Sequence, residues 1–304
     1  MMKERMTAII KKQLGANMGV LFQKIKKENG IVLDGVSIYD ENDKDSVKIA
    51  PIIYYDADEV TEKNVERITR EICTRYLANK DSADIMAAFK DTMDSKEKLL
   101  SLVVPRVVNY KKNIEMINEN NYIVKEYLDL AILFCVNMKT QDGYASFKIR
   151  YDMLDRLNLS VKELMVAAFY NLRKNMEIKP LRNAILDMAR NELGLDCFKM
   201  DDEMFNEIFG LDDETSDILV YSTEGKYYGS AVILLTDIFK EKCYVLPSSV
   251  HELIAIPASM ARGDNVSVSE LKSMVCSINH SEVSVADRLS DNVYYFNGDF
   301  FEIM

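Results

Sequence analysis

The sequence contains no tryptophan and only two histidines, His251 and His280. An imidazole-rich metal site is therefore not expected. The five cysteines, at 73, 135, 197, 243 and 276, are odd in number, far apart and never spaced Cys-x-x-Cys, so neither a disulfide framework nor a zinc site is suggested. Eleven glycines are scattered along the chain, and neither Gly-x-Gly-x-x-Gly nor Gly-x-x-x-x-Gly-Lys-Ser/Thr occurs among them. That removes nucleotide hydrolysis by a P-loop. No apolar run approaches the length of a membrane span, and the N-terminus has no apolar core followed by a small-residue cleavage site. A cytoplasmic protein is expected, with no cofactor and no bound metal.

What is present is enough for a substantial core. Hydrophobic residues make up 48% of 304, which suits one large domain or two ordinary ones. The 17 methionines fit an adaptable interior. With 38 cations against 49 acids, the net charge of −11 makes the molecule as a whole repel nucleic acid and anionic membranes.

Charge is unevenly placed. Residues 1–27 carry Lys3, Arg5, Lys11, Lys12, Lys24, Lys26 and Lys27 against the single acid Glu4, a local charge of +6 that leaves −17 elsewhere. Ile10, Leu14, Met18, Leu21 and Ile25 follow helical spacing, so an amphipathic helix is expected over 3–28, interrupted or closely approached at Gly15 and Gly19. Its basic face, with Lys11, Lys12, Lys24, Lys26 and Lys27, either packs on an acidic body or docks a partner, an acidic protein or nucleic acid.

Along the chain, strands are expected at Ile31–Tyr39 and Val47–Tyr55, joined by the acidic turn 40–45. A helix follows with Val65, Ile68, Ile72 and Tyr76 on its inner face, and a second, Asp84–Met93, is capped at Ser82. The acids Asp56, Asp58 and Glu59 precede the first helix and are explained by its exposed N–H groups. Leu99–Val108 reads as a strand interrupted by Pro105, and Lys111–Glu119 as a helix. Tyr127–Val136 and Tyr144–Arg150 read as a hairpin across Gln141-Asp142-Gly143. Ser160 and Glu163 open a capped helix, Leu181–Leu193 forms another ending at Gly194, and Ser267 and Glu270 open a third. The acidic clusters 201–203 and 212–214 flank a short helix containing Met204, Phe205, Ile208 and Phe209, and are read as solvated caps. Ile218–Ser222 and Tyr227–Leu234 suggest a hairpin, and the chain closes in one over Asn297-Gly298.

The one stretch where chemistry-bearing residues gather lies between the short strands Cys243–Leu246 and Leu253–Ile256. There Pro247-Ser248-Ser249-Val250-His251-Glu252 offers Ser248 or Ser249 as a nucleophile, His251 as its base and Glu252 as an orienting acid. The alternative is a serine-rich turn stiffened by His251. No Gly-x-Ser-x-Gly elbow is present. The preceding small residues Gly229, Ser230 and Ala231 permit close approach by another backbone or by a ligand.

Tyr-Val-Leu-Pro-Ser-Ser-Val-His-Glu, Tyr228-Gly229-Ser230-Ala231 and Leu289-Ser290-Asp291-Asn292-Val293-Tyr294 together resemble an uncharacterised domain-of-unknown-function family of gut Firmicutes. Ile123-Val124 stand where relatives often carry a Pro-His pair before Leu128-Asp129-Leu130-Ala131. The resemblance implies a fold but no activity. We therefore expect a bacterial α+β protein with a mostly antiparallel sheet, helices on one side, and a helical N-terminal lobe over 1–98 preceding an α+β core over 99–304. Its expected role is non-enzymatic: an interaction or regulatory protein that binds a macromolecular partner. The alternative is a hydrolase or ligand-binding protein with its site at Ser248, Ser249, His251 and Glu252, beside Gly229 and Ser230.

Overall fold

The computed structural model describes residues 2–42, 50, 52–80, 83–140, 143–193, 217–260 and 267–304. The expected cap at Ser82, the turn residues Gln141 and Asp142, the helix end at Gly194, and the acidic clusters 201–203 and 212–214 with the helix between them lie outside these residues, as does part of the acidic turn 40–45. The protein has an α+β fold in which every strand pairing among the described residues is antiparallel. The chain divides into two compact units, Met1–Lys98 and Leu99–Met304.

In the first unit, helix α1 (Met2–Leu14) ends where Gly15 adopts φ +127, and strand β1 (Met18–Lys26) follows. The single helix expected over 3–28 is thus two elements. Only glycine occupies Gly15's backbone conformation without strain, and beyond it Met18, Val20 and Phe22 alternate onto the core face as strand residues do. Asn29 and Gly30, both at positive φ, turn the chain into β2 (Val32–Asp40), which pairs with β1 and with β3 (Ile52–Tyr55). Helix α2 (Val65–Lys80) packs on α1 and β3. Met6, Ile10, Met18, Val36, Ile38, Ile53, Val65 and Ile72 close the core between them. Arg67–Glu71 and Arg70–Glu66 are i,i+4 pairs on its solvent side. Asp56 Oδ1 accepts the N–H groups of Asp58 and Glu59, so this acid organises a turn. Helix α3 (Ala83–Asp94) completes the unit.

Helix α4 (Lys96–Leu102) occupies the start of the stretch expected to be a strand, and β4 begins only at Val103, running to Asn109. The buried Asn171 amide fixes this junction, donating to Leu100 O at 3.0 Å and Val103 O at 2.8 Å. Helix α5 (Tyr110–Glu119) is capped by Asn109, whose side chain accepts from Lys112 N. Strand β6 (Leu130–Thr140) pairs along one edge with β4, and along the other with β5 (Val124–Tyr127) and then β7 (Gly143–Lys148). Helix α6 (Tyr151–Leu157) leads to α7 (Val161–Asn175), where the Ser160–Glu163 capping box forms as expected, and α7 packs on β4.

The larger sheet has six strands in the order β13-β12-β10-β11-β9-β8. They are β8 (Met176–Pro180), β9 (Leu219–Thr223), β10 (Cys243–Leu246), β11 (Leu253–Pro257), β12 (Tyr294–Phe296) and β13 (Phe301–Ile303). Strand β8 was not expected. Helix α8 (Leu181–Leu193) follows it, and α9 (Val268–Ser281), opened by the Ser267–Glu270 capping box, packs Leu271 and Val275 on Leu246 and Val293. The segment Tyr227–Leu234 is not a strand: Gly229–Leu234 forms a 3-10 turn with Ser230, Ala231, Val232 and Ile233 buried. Asn171→Ala takes this donor from the Leu100 and Val103 carbonyls and is expected to cost about 1–3 kcal/mol, read as a lower midpoint in urea unfolding.

Candidate functional site

Residues Pro247–Glu252 connect β10 to β11 as a loop gripped from two sides. On one side, Ser230 N–H donates to Val250 O at 3.2 Å, and Ser230 Oγ donates to Ser249 O and, at 2.9 Å, to Glu252 O. The approach is so close that a Cβ on Gly229 would stand 1.7 Å from His251 O and 3.0 Å from Ser222 Cα. Small residues were expected to allow such an approach, and the approaching group is the loop's own backbone. On the other side, Val250 N–H donates to Asp287 O, Leu289 N–H to Ser248 O and Ser290 N–H to Pro247 O, all at 3.0 Å. The loop is therefore stitched in as if it were an additional strand.

The side chains follow from this stitching. Ser249 is buried, and its Oγ accepts His251 N–H at 3.2 Å, the hydrogen bond of a serine turn. His251 thus stiffens the turn through its main chain. Its imidazole Nε2 lies 3.4 Å from Asp287 Oδ1, with 41% and 32% of the two side chains exposed. Asp287 Oδ2 accepts the Ser284 hydroxyl at 2.7 Å, which fixes the carboxylate's orientation. Asp287 is an acid the sequence reading did not name. It lies well away in sequence, just past α9, and no spacing rule brings it to His251. Ser248 is half-buried and Glu252 likewise, with the Glu252 main chain held by Ser230.

The stitching continues inward to Asp129. Its Oδ2 accepts Ser290 Oγ at 2.7 Å and Asn292 Nδ2 at 2.9 Å, and its Oδ1 accepts the Tyr294 hydroxyl. Asn109 Nδ2 donates to Leu289 O at 3.0 Å, and the buried Asn279 amide donates to Ser290 O at 2.9 Å. Burial, the charge of Asp129 and the hydrogen bond to it push the Tyr294 phenol far above its ordinary value. Leu128, beside Asp129 in the two-residue turn between β5 and β6, sits at φ +56. The strand expected over Tyr127–Val136 is broken there, and the broken point is what presents the carboxylate. The motifs around Gly229, Pro247, Asp129 and Ser290, separated by up to half the chain, form one connected hydrogen-bonded assembly.

The basic residues Lys11, Lys12, Lys24, Lys26 and Lys27 do not share a helix. Lys11 and Lys12 lie on α1, Lys11 meeting Glu41 at 3.4 Å, whereas Lys24 and Lys26 lie on β1 and Lys27 stands over the Tyr54 ring. Among the described residues no group of three or more His, Cys, Asp and Glu is placed to hold a metal ion, and no helix is long and apolar enough to cross a membrane.

The profile of a family of unknown function, DUF5688, matches residues 1–298. The chain belongs to that family. No curated protein and no solved structure matches it. Membership in DUF5688 agrees with the resemblance read from the motifs, and it carries no activity with it.

Two outcomes follow from the geometry. Gly229→Ala forces a Cβ into the His251 carbonyl and will lower stability by about 3 kcal/mol or more, whereas Gly298→Ala, with open space around its Cβ position but φ +111, will cost about 1 kcal/mol; paired thermal melts compare them. The second outcome concerns alkaline pH. Burial raises Tyr127 and Tyr221 to about 12 and Tyr294 further, so the fold favours the neutral phenols. Their contribution is intact below about pH 10 and is lost as pH rises above it, by up to about 1.4 kcal/mol per pH unit for each group. Tyr294→Phe will be less stable than the parent at pH 7 but will lose stability less steeply between pH 10 and 11.5.

Proposed function

We propose that this DUF5688 protein is a non-enzymatic interaction or regulatory protein of the bacterial cytoplasm that binds a macromolecular partner, and that its Pro-Ser-Ser-Val-His-Glu segment is an internal fastening. The observation that supports this is the use to which Ser249 in the segment, and Ser230 and Ser290 beside it, put their hydroxyls. Ser230 donates to two carbonyls of the loop, Ser249 accepts a main-chain N–H, and Ser290 donates to Asp129. An acyl-transfer nucleophile instead needs its hydroxyl against the base. The partner is a protein, engaged through the acidic body or through the lysines at the N-terminal end. Because Lys11 and Lys12 stand on α1, Lys24 and Lys26 on β1 and Lys27 just past it, contact through these cations would involve α1 and the β1 hairpin together.

The experiment is affinity purification of the tagged chain from its native host at moderate salt, with mass spectrometry of co-eluting proteins and an absorbance ratio for nucleic acid. A stoichiometric protein that Ser248→Ala with His251→Gln still captures supports the reading. Loss of the partner in that variant, with an unchanged melting temperature, would count against it.

A hydrolase or small-ligand site at the same loop is the second reading, and the half-exposed His251–Asp287 pair at 3.4 Å is what favours it. An oriented carboxylate beside an imidazole is the base half of a nucleophilic site. Saturable labelling of Ser248 or Ser249 by a fluorophosphonate, abolished by His251→Gln, would establish this second reading; an unlabelled native protein removes its nucleophilic form.

A further inference from the structure

A face of the six-stranded sheet carries a cavity of about 160 Å3. Ile178, Leu219, Tyr221, Cys243, Ala255 and Pro257 line its floor. They share a face because Ile178 pairs with Tyr221, Leu219 with Ala255, and Cys243 with Pro257, and residues directly opposite in an antiparallel pair project to the same side. Phe239 forms a wall, its ring stacked on Tyr221 at 4.7 Å between centroids and 20° between planes. Among the described lining residues, Asp217 and Glu241 stand at the mouth with one cation, Lys240.

Size and charge together narrow the occupant. An apolar cavity of about 150 Å3 takes one benzene-sized ring and stays dry without it, so this one has room for a single ring or a short branched chain. The mouth is net negative, which disfavours carboxylates and phosphates and favours a cation. Burial first, and then the charge of Glu241, push the Cys243 thiol up to about 12; burial, Cys243 and Glu241 do the same to the Tyr221 phenol. Both groups therefore stay neutral, and the Glu241 field reaches the cavity floor.

We propose that this cavity binds a small primary amine with an aromatic or branched aliphatic body, the body resting on the sheet face and the ammonium meeting Glu241 and Asp217. The site lies on different residues from the Pro247–Glu252 loop, and the proposal does not depend on the macromolecular partner. An ammonium has no comparable partner at the floor, so the apolar body enters first and the charge stays at the wet mouth.

The test uses the full chain with methyl-labelled Ile, Leu and Ala, titrated with 2-phenylethylamine and, separately, with 3-phenylpropionate. The amine is expected to shift the Ile178, Leu219 and Ala255 methyl signals saturably, with the carboxylate at least about fivefold weaker. Glu241→Gln, a substitution at an exposed position that leaves the melting temperature unchanged, is expected to weaken the amine by about fivefold and to narrow its advantage over the carboxylate. The proposal is overturned if the amine leaves these methyl signals unmoved, if amine and carboxylate bind equally well, or if Glu241→Gln leaves the preference intact.

Discussion

The Asp129 carboxylate is the constraint on which the larger unit depends. Asp129 is half-buried, and a carboxylate leaving water in this way is stabilised when its lone pairs are met; here Ser290, Asn292 and Tyr294 meet them. Those three residues sit at alternate positions of the segment leading into β12. A bend at Asp291–Asn292, in which Asn292 N–H donates to Ser290 Oγ at 3.0 Å, turns the first two toward the same acid as Tyr294, so one carboxylate holds the whole segment. The segment's main chain then holds Pro247, Ser248 and Val250. Removing the carboxylate would leave the Tyr294 hydroxyl buried without its acceptor, at the entry to the strand that joins β10 to β13.

The same arrangement accounts for residues that look catalytic in sequence. Hydroxyl, amide and carboxylate side chains gather at Ser230, Ser249, Ser290, Asn279 and Asp129 because three irregular segments meet there, and irregular backbone must find hydrogen-bond partners outside a strand ladder. Short polar side chains satisfy those groups over the shortest distances. Gly229 serves the same end by subtraction, since its missing Cβ is what allows the loop carbonyl to come so near. A cluster of serines with one histidine is thus the expected signature of tight loop packing as well as of nucleophilic chemistry, and the hydrogen-bond partners tell the two apart.

How much of this was legible in the sequence depended on how local the cause was. The capping box at Ser160 and the helix start at Ser267 were legible, because both serines reach groups only three residues away. The C-terminal hairpin was legible from Asn297-Gly298. The N-terminal strand was not, because Met18, Leu21 and Ile25 continue the helical spacing of Ile10 and Leu14 by coincidence, while Met18, Val20 and Phe22 carry the true period of two. Asn29-Gly30 was the signal that would have separated them, since a hairpin turn there requires a strand on each side. The turn at Leu128-Asp129 had no such signal: a leucine at positive φ is disfavoured by about 1–2 kcal/mol and is held by tertiary contacts that a local pattern does not contain. Asp287 beside His251 and the meeting of Asp129 with Ser290 are likewise products of topology.

The position of the apolar cavity follows from that topology too. Strands β8, β9, β10 and β11 bring Ile178, Leu219, Cys243 and Pro257 to one face, and the Phe239 wall is held by its stack on Tyr221 and its edge contact with Phe301 at 4.9 Å. An aromatic cluster packed this firmly resists rearrangement into a neighbouring space, so the void beside it persists. The cost of keeping it open falls on contacts that Ala255 and Pro257 would otherwise make. A void of this kind forfeits packing contacts along its lining, and an apolar body resting on the sheet face would restore them.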